Sequence, residues 1–325
     1  MMTTSPAANP PLPSSEVYMN ILDSIGNTPL LLLDSVSRDL PARIWVKNES
    51  RNPGGSIKDR AAKGYIETAL AEGRLAPGGT VVEATSGNLG IGLAVVCAKK
   101  GLRLMLTMPA SASVERRALL KALGAELVLT PAEQGMQGAQ AKADELLAAI
   151  PGAFRPDQFS NAVGPRVHYE TTGVEIVESC RAEGFEPAAF LAGVGSGATL
   201  IGTSRRLKEA FPHIFCAAVE PEESPMLSQG RAAAHGIQGI GANYVPAVFD
   251  RSVVNDILTV NTQDAMATAR MLMAREALNC GITSGANVCA AMRLAARPEF
   301  AGRDIITVAP DTGERYLSTA LFPKD

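Results

Sequence analysis

The sequence of 325 residues lacks several features that would assign it to a common class of protein. Its three histidines (His168, His213 and His235) are far apart, and its five cysteines contain no Cys-x-x-Cys pair. Neither a metal site nor a disulfide framework is therefore indicated. Cysteines that are scattered through apolar surroundings are typical of buried free thiols in a reducing compartment.

Strong charge and long apolar runs are also missing. The net charge is -3 and there is no strongly basic block, which argues against nucleic acid as the main partner. The longest apolar run, around Leu89 to Ala98, is too short to cross a membrane. Residues 1–15 have neither the basic nor the hydrophobic region of a signal peptide. We expect a flexible tail over 1–15 and a cytoplasmic protein without a membrane partner.

Hydrophobic residues are plentiful, at 46%, and they fall into alternating strand-like and helix-like runs. The predicted strands are Thr80–Ala84, Leu102–Met108, Glu126–Thr130, Phe190–Ala192, Ile214–Val219 and Asp304–Val308. The predicted helices between them are Leu89–Lys100, Val114–Leu123, Gly138–Ala149 and Leu200–Ala210. Strands that are apolar throughout and separated by helices indicate a parallel sheet covered on both faces. The pattern predicts an α/β protein of two α/β domains with mostly parallel sheets and a cleft between them.

The domain limits follow from two interruptions of this pattern. Leu30–Leu33 and Arg43–Val46 look like strands that pair as a hairpin before the first strand–helix unit. Pro151-Gly152 and Pro156 break the helical pattern further along. We predict a smaller domain over residues 50–155 and a larger domain from residues 16–49 plus 156–325.

Lys58 is the most informative single residue. It follows a turn-forming stretch, Asn52–Ile57, and precedes a predicted helix over Ala61–Leu70. A lysine in the first turn of a helix faces the positive end of the helix dipole, and partial burial would lower its pKa further. A neutral amine is what reacts with an aldehyde cofactor. The alternative is that Lys58-Asp59-Arg60 forms an ordinary solvated helix face.

Three glycine-rich turns follow predicted strands and precede helices: Thr85–Gly90, Gly193–Thr199 and Gly281–Asn287. Backbone N–H groups and hydroxyls at such turns bind carboxylate or phosphate groups. The alternative for the first and third turns is a capped helix start without a ligand, and the alternative for the second is a tight turn whose glycines serve packing. For the third turn, we expect the helix to begin near Asn287.

The second turn also imitates a dinucleotide-binding motif. Gly193, Gly195 and Gly197 have suitable spacing, and Glu220 ends the following strand where an acid that binds ribose would lie. An NAD-dependent oxidoreductase is therefore an alternative from a different functional class.

Together these stretches resemble the cysteine synthase (O-acetylserine sulfhydrylase) and cystathionine β-synthase family of pyridoxal-phosphate-dependent enzymes, which have fold type II. The most specific motifs are Gly54–Arg60 and Thr85–Asn88. Further matches at Ile25–Leu30, His235–Gly241 and Gly313–Thr319 extend the resemblance over nearly the whole chain.

The resemblance implies a role for each matching residue. Lys58 would bind the cofactor as an internal aldimine and later act as general acid and base at the substrate Cα. Asn88 would hydrogen-bond the cofactor's 3′-oxygen, and the Thr283 hydroxyl would face the pyridine nitrogen. The residues that would bind the 5′-phosphate are Gly195, Ser196, Gly197, Ala198 and Thr199. The residues that would bind the substrate carboxylate are Thr85, Ser86, Gly87 and Gln158.

The implied reaction is a β-replacement, in which O-acetyl-L-serine loses acetate to leave an aminoacrylate and sulfide adds to give L-cysteine. Alternatives with the same cofactor are cystathionine β-synthase, formation of lanthionine or diaminopropionate, and O-phosphoserine sulfhydrylase. A serine/threonine dehydratase is disfavoured, because such relatives have four glycines where this chain has Gly195-Ser196-Gly197-Ala198. The resemblance also implies a homodimer and a serine acetyltransferase tail as partner.

Two departures from the family pattern affect the choice of substrate. Threonine stands at position 283 where the family usually has serine, and Ser284 is a second candidate for the hydroxyl. Leu89 replaces a threonine whose hydroxyl would lie beside the substrate carboxylate. The leaving group and the nucleophile are therefore left open at this point.

Overall fold

The structure is a computed structural model that describes residues 18–322, so the tail predicted over 1–15 lies outside the described residues. Its strands are β1 (Leu30–Leu32), β2 (Arg43–Asn48), β3 (Thr80–Ala84), β4 (Arg103–Pro109), β5 (Glu126–Thr130), β6 (Pro187–Gly193), β7 (Phe215–Pro221), β8 (Asp256–Val260) and β9 (Asp304–Ala309). Its α-helices are α1 (Asp34–Ser37), α2 (Lys58–Ala71), α3 (Asn88–Lys100), α4 (Val114–Ala122), α5 (Gly135–Ala149), α6 (Val163–Glu170), α7 (Thr172–Ala182), α8 (Ala198–Ala210), α9 (Met226–Gln229), α10 (Thr262–Glu276) and α11 (Ile282–Ala295). Single turns of 3₁₀-helix lie at Ile21–Ser24, Glu49–Arg51, Ala132–Gln134, Arg251–Val253, Pro298–Phe300 and Gly313–Tyr316.

The strands form two sheets. The larger has the order β1-β2-β9-β6-β7-β8, with β1 antiparallel to β2 and every other pair parallel. Leu30 lies opposite Lys47, so the predicted hairpin is confirmed. The smaller sheet has the order β3-β4-β5 and is parallel throughout. The predicted fold class of two mostly parallel, helix-covered sheets is confirmed, while the domain boundaries stay a prediction.

Strand β6 shows why the central strands are apolar throughout. Phe190 belongs to a buried cluster with Leu200 of α8, whereas the neighbouring Leu191 belongs to a cluster with Ala286 of α11. Successive side chains of a strand point to opposite faces, so each face needs its own apolar partner. Each such side chain, when fully buried, contributes about 1.5–3 kcal/mol.

Helix α3 illustrates how the helices end. Gly101 follows it in the left-handed conformation, at φ +66°, which a residue with a Cβ adopts only at a cost. Lys99 and Lys100 occupy the last turn, where positive charge is favourable. The end predicted at Lys100 is confirmed.

Other predictions were incomplete. The third glycine-rich turn becomes helical at Ile282, so the helix start predicted near Asn287 was wrong. Helix α2 begins at Lys58 itself rather than near Ala61. Strand β8 and helices α6, α7 and α10 were not predicted. The five cysteines are buried and free, as predicted.

Within residues 18–322, no helix has the length and apolar character needed to span a bilayer. No cluster of three or more His, Cys, Asp or Glu side chains is arranged there to bind a metal ion.

Candidate active site

A cleft of about 1300 Å³ lies between the two sheets. The carboxyl ends of β3, β6 and β9 reach it, and all three glycine-rich turns contribute to its lining. Ligands bind at this edge of parallel sheets because the turns there expose backbone N–H groups and the first turns of helices. The fold thus brings Lys58 and the third glycine-rich turn, which are more than two hundred residues apart in the sequence, to one cleft.

Lys58 is partly buried in the wall of this cleft, at the first position of α2. The N–H of Ile57 donates to the carbonyl of Pro310 at 2.9 Å, which attaches the start of the helix to the segment after β9. The Nζ atom lies 3.4 Å from Ser196 Oγ of the second glycine-rich turn. Burial lowers the pKa of Lys58 to about 8. A substantial fraction of the amine is therefore neutral near physiological pH and able to act as a nucleophile.

The alternative of a solvated Lys-Asp-Arg face is wrong, because the next two side chains are buried. Asp59 Oδ2 accepts a hydrogen bond from the N–H of Gly54 at 2.5 Å, and burial raises the pKa of Asp59 to about 7. Arg60 is 3% exposed, and its guanidinium bonds Glu49 and Glu175. Both residues therefore secure the turn and helix that present Lys58.

Arg60 belongs to a buried ionic group, here called the Arg60 cluster: Arg60, Glu49, Glu175, Lys47 and Thr28. Arg60 Nε lies 2.7 Å from Glu49 Oε2, and Arg60 Nη1 lies 2.6 Å from Glu175 Oε1. Lys47 Nζ lies 2.7 Å from Glu175 Oε2, and Thr28 Oγ1 donates to Glu49 at 2.6 Å. The cluster links α2 to β2 and α7. Sequence reasoning missed it, because its charges are far apart along the chain.

The second glycine-rich turn, 195–199, leads into α8. Gly197 precedes that helix at φ +88°, and a Cβ on Gly195 would lie only 2.4 Å from the carbonyl oxygen of Gly239. Only glycine fits at position 195 without moving the backbone. The turn therefore places backbone N–H groups at the start of a thirteen-residue helix, where the helix dipole favours an anion.

Thr199 has a partner outside the turn. Its hydroxyl lies 3.3 Å from His168 Nε2, while His168 Nδ1 lies 2.9 Å from the hydroxyl of Thr172. Burial, together with the nearby Arg60 charge, lowers the pKa of His168 to about 3, so the ring is neutral. The predicted phosphate turn therefore has hydroxyl contacts, and within residues 18–322 no carboxylate forms a hydrogen bond with it that would repel a phosphate.

Replacing Gly195 by alanine tests this turn. We expect the cofactor to bind at least about tenfold more weakly, because the new Cβ would displace either the turn or Gly239. Equilibrium dialysis against pyridoxal 5′-phosphate measures the effect. Gly87→Ala is the matched control, since the nearest atom to its Cβ would be 3.9 Å away and cofactor affinity should remain unchanged. Equal affinities for both variants would contradict a phosphate site at 195–199.

Asn88 begins α3 and lines the cleft. Its Nδ2 donates to Asp311 Oδ2 at 2.6 Å, and its Oδ1 accepts from Arg315 Nη1 at 2.5 Å. The predicted cofactor-binding amide is thus held between two charged side chains that follow β9.

Thr283 rather than Ser284 presents a hydroxyl to the cleft. Thr283 lines the cavity, and its Oγ1 donates to the carbonyl of Gln238 at 2.8 Å. Ser284 is fully buried beside the Cys280 thiol and does not line the cleft. The structure therefore favours Thr283 as the cofactor hydroxyl, in spite of its additional methyl group.

The residues predicted to bind the substrate carboxylate all line the same cleft: Thr85, Ser86, Gly87 and Gln158. Thr85 Oγ1 accepts a hydrogen bond from the N–H of Gly87 at 3.2 Å, which stabilises the turn. Leu89 also lines the cleft but is 1% exposed and packs in the core of the smaller sheet. The threonine-to-leucine departure thus places an apolar group beneath the carboxylate turn.

Glu220 is not free to bind a ribose. Its carboxylate accepts hydrogen bonds from the N–H of Leu227 at 2.7 Å and from the hydroxyl of Ser228 at 2.5 Å. Glu220 is 2% exposed and is absent from the lining of the cleft. The acid that suggested a dinucleotide motif instead fixes the start of α9.

One cleft thus contains a partly buried lysine with a lowered pKa, a neighbouring turn suited to an anion, and a threonine at the start of a helix, the groups that a phosphorylated aldehyde would need. In agreement, the chain belongs to the family described as "Pyridoxal-phosphate dependent enzyme", which matches residues 21–311. The protein is therefore an enzyme whose cofactor is pyridoxal 5′-phosphate. The predicted family is confirmed.

Individual proteins of known type show which enzymes of this family the chain is similar to. The chain is 47% identical over 306 residues to a cysteine synthase of Staphylococcus aureus, covering 94% of this chain and 97% of the relative. It superimposes on the crystal structure of the cysteine synthase of Entamoeba histolytica with a TM-score of 0.93 and 39% identity, covering 98% of this chain and 95% of that one. The O-acetylserine dependent cystathionine β-synthase of Helicobacter pylori gives a TM-score of 0.88 at 34% identity, covering 95% and 100%.

Proposed function

We propose that this enzyme makes L-cysteine and acetate from O-acetyl-L-serine and sulfide. The observation that supports this most is the placement of Lys58, whose amine has a pKa of about 8 and lies 3.4 Å from the turn proposed to bind the cofactor phosphate. The similarity to cysteine synthases over nearly the full chain supports the same reaction.

The residues present fit the cofactor. The glycine-rich turn has no room for a side chain at Gly195, and it leaves N–H groups at the start of α8 for the phosphate. Lys58 Nζ would bond the aldehyde carbon, Asn88 would contact the 3′-oxygen, and Thr283 would face the pyridine nitrogen. When bound, pyridoxal phosphate withdraws electrons from the substrate Cα and so makes its proton easier to remove.

A hydroxyl at position 283 also supports the choice of reaction. It does not hold the pyridine nitrogen protonated, as a carboxylate would, and strong carbanion stabilisation is not needed when a good leaving group lies one bond away. The Thr283 hydroxyl donates to the carbonyl of Gln238 at 2.8 Å, so it would have to turn its hydrogen away from that carbonyl to donate to an unprotonated pyridine nitrogen.

Lys58 would also move the proton at the substrate Cα. A general base works best when its pKa is near the working pH, and burial brings Lys58 to about 8. The same amine would return the proton to Cα once the new C–S bond has formed. Asp59 is hydrogen-bonded to Gly54 and does not line the cleft, so we assign it no proton transfer.

The substrate carboxylate would bind the backbone and hydroxyls of Thr85, Ser86 and Gly87, with Gln158 opposite. The turn stands at the start of α3, where an anion is favoured. Arg116 donates to the Ser86 carbonyl at 3.5 Å and to Gln238 at 3.3 Å, so it connects this turn with the segment between α9 and β8. Closure of the turn over the carboxylate would exclude water from the reacting atoms.

A second candidate is β-replacement by an amino-acid thiol, as in cystathionine formation. The similarity to the H. pylori enzyme favours it, and the cleft of about 1300 Å³ has room for a second amino acid. The leaving group would be the same in both reactions, so only the nucleophile distinguishes them.

The substrates are tested by supplying O-acetyl-L-serine, O-phospho-L-serine and L-serine separately, each with sulfide and then with homocysteine. We expect O-acetylserine with sulfide to give a kcat/KM at least about tenfold above any other combination. Chromatographic measurement of the amino-acid product distinguishes cysteine from cystathionine. A higher kcat/KM with phosphoserine or serine, or with homocysteine as nucleophile, would contradict the proposal.

We also propose that the protein acts as a homodimer in the cytoplasm and that its cleft accepts the tail of a serine acetyltransferase. The homodimer and the acetyltransferase tail come from the resemblance to cysteine synthases, whereas the cytoplasmic location comes from the scattered free cysteines and the lack of signal-peptide features in the sequence. Light scattering and titration with a tail peptide measure the two assemblies.

A further inference from the structure

Both ends of the Asn88 amide are held by charged side chains. Asp311 accepts from its Nδ2 at 2.6 Å, and Arg315 donates to its Oδ1 at 2.5 Å. Tyr316 donates to the same oxygen of Asp311 at 2.5 Å, so that oxygen is an acceptor only. Because guanidinium groups can only donate, the Asn88 amide cannot flip without losing both contacts.

Asp311 and Arg315, here called the Asn88 clamp, are themselves fixed by the surrounding fold. Asp311 is 1% exposed, and a Cβ on Gly281 would lie 2.2 Å from its Oδ1, so the third glycine-rich turn leaves space for the carboxylate. Arg315 also donates through Nη2 to the carbonyl of Gly54, in the turn before Lys58. The clamp thus joins the end of β9 to both the lysine turn and α3.

We infer that Asp311 and Arg315 are positioning residues that orient the Asn88 amide so that its second N–H is donated to the cofactor's 3′-oxygen. Among residues 18–322, Asp311 is the one acceptor for Asn88 Nδ2, so one of its two hydrogens is uncommitted while the residue lines the cleft. The inference rests on the role proposed for Asn88. The inference adds that Asp311 and Arg315, which are not proposed to contact the cofactor, decide whether the Asn88 amide acts as a donor or an acceptor toward the 3′-oxygen.

The orientation of the amide has a spectroscopic consequence. A hydrogen bond donated to the 3′-oxygen favours its deprotonated form. Bound cofactor with a deprotonated 3′-oxygen absorbs in the visible, whereas the protonated form absorbs in the near ultraviolet. Without the clamp, the amide carbonyl of Asn88 would be free to face the 3′-oxygen, and the near-ultraviolet form would become more populated.

The experiment uses holoenzyme without substrate. Asp311→Leu keeps the shape of the side chain but removes the acceptor, and Arg315→Met removes the donor. We expect each to lower the ratio of visible to near-ultraviolet absorbance and to weaken cofactor binding roughly fivefold, the effect of one ordinary hydrogen bond. Asp311→Asn keeps an oxygen acceptor and should restore most of the ratio. Thr307→Val, which removes a buried hydrogen bond to Leu191 elsewhere on β9, should leave the ratio unchanged.

The same substitutions in an Asn88→Ala background separate positioning from a general structural effect. We expect no further change in the ratio beyond about 1.5-fold, because the amide on which the clamp acts is gone. Equal changes with and without Asn88, or no change in either background, would overturn the inference. Arg315→Met provides the test if Asp311→Leu does not fold. Since no substrate is present, the result does not depend on which leaving group the enzyme uses.

Discussion

Replacing Lys58 by alanine should abolish the covalent attachment of the cofactor and lower turnover at least about a thousandfold while the protein still folds. Loss of an acid–base group alone typically costs a factor of 10²–10⁴, and here the covalent bond is lost as well. Folding should be preserved because the amine makes one long contact, 3.4 Å to Ser196, and its burial disfavours its charge. The visible absorbance of the purified protein and its kcat with O-acetylserine and sulfide measure the two effects.

Lys63, in the next turn of the same helix, is the matched control. Its Nζ donates to the carbonyl of Leu22 at 2.9 Å and it does not line the cleft. Lys63→Ala should keep its visible absorbance and a turnover within about twofold of the unmodified protein. Wild-type turnover in Lys58→Ala would show that another group performs the chemistry.

Arg60→Met should destabilise the protein by about 3–5 kcal/mol, which is typical of breaking a buried ionic group by removing one partner. Glu49 is fully buried and Glu175 mostly so, and the substitution would leave both carboxylates without their guanidinium. Burial alone would raise the pKa of Glu175, but Arg60 and Lys47 outweigh it and lower that pKa to about 2. Unfolding in urea, followed by circular dichroism on the cofactor-free protein, measures the loss.

The pH dependence follows from the same shift. A carboxylate with a lowered pKa adds stability above its unfolded pKa, near 4.5, and that stability is lost as the pH falls toward about 2. The difference between Arg60→Met and the unmodified protein should therefore be largest at neutral pH and shrink below about pH 4.5. Arg103→Met, which breaks the exposed pair with Glu126, should cost far less than Arg60→Met, because solvent screens an exposed pair. Equal losses for Arg60→Met and Arg103→Met would contradict the importance assigned to the Arg60 cluster.

The predictable parts of the fold are those in which the residues of one short segment indicate how that segment is buried. Strand β6 is buried on both faces and so has an uninterrupted apolar sequence over Pro187–Gly193. Strand β8 lies at the edge of the larger sheet and is half-buried for most of its length, so its sequence Asp256–Val260 has no such signal. The start of α11 was predicted too far along the chain, because a glycine such as Gly281 is typical of a loop. In the structure Gly281 is the N-cap of this helix.

The residues of the candidate site that belong to local sequence motifs were predictable for the same reason. Lys58 and the three glycine-rich turns are motifs that can be found one at a time, and the fold brings them to one cleft. The contacts that position them depend on residues far apart in the chain. Arg60 and Glu175 are separated by 115 positions, and Asn88 and Asp311 by 223, so no local pattern reveals either pair. A buried arginine immediately after the lysine motif cannot be distinguished from a surface arginine by sequence alone.

Lys58 Nζ is the atom that we expect to bond the aldehyde carbon of pyridoxal phosphate. Borohydride reduction of the holoenzyme fixes that bond, and mass spectrometry of the digested protein then locates it. We predict the phosphopyridoxyl group on the peptide that contains Lys58, with the other lysines unmodified. Label on a different lysine, or reduced protein without label, would contradict the account.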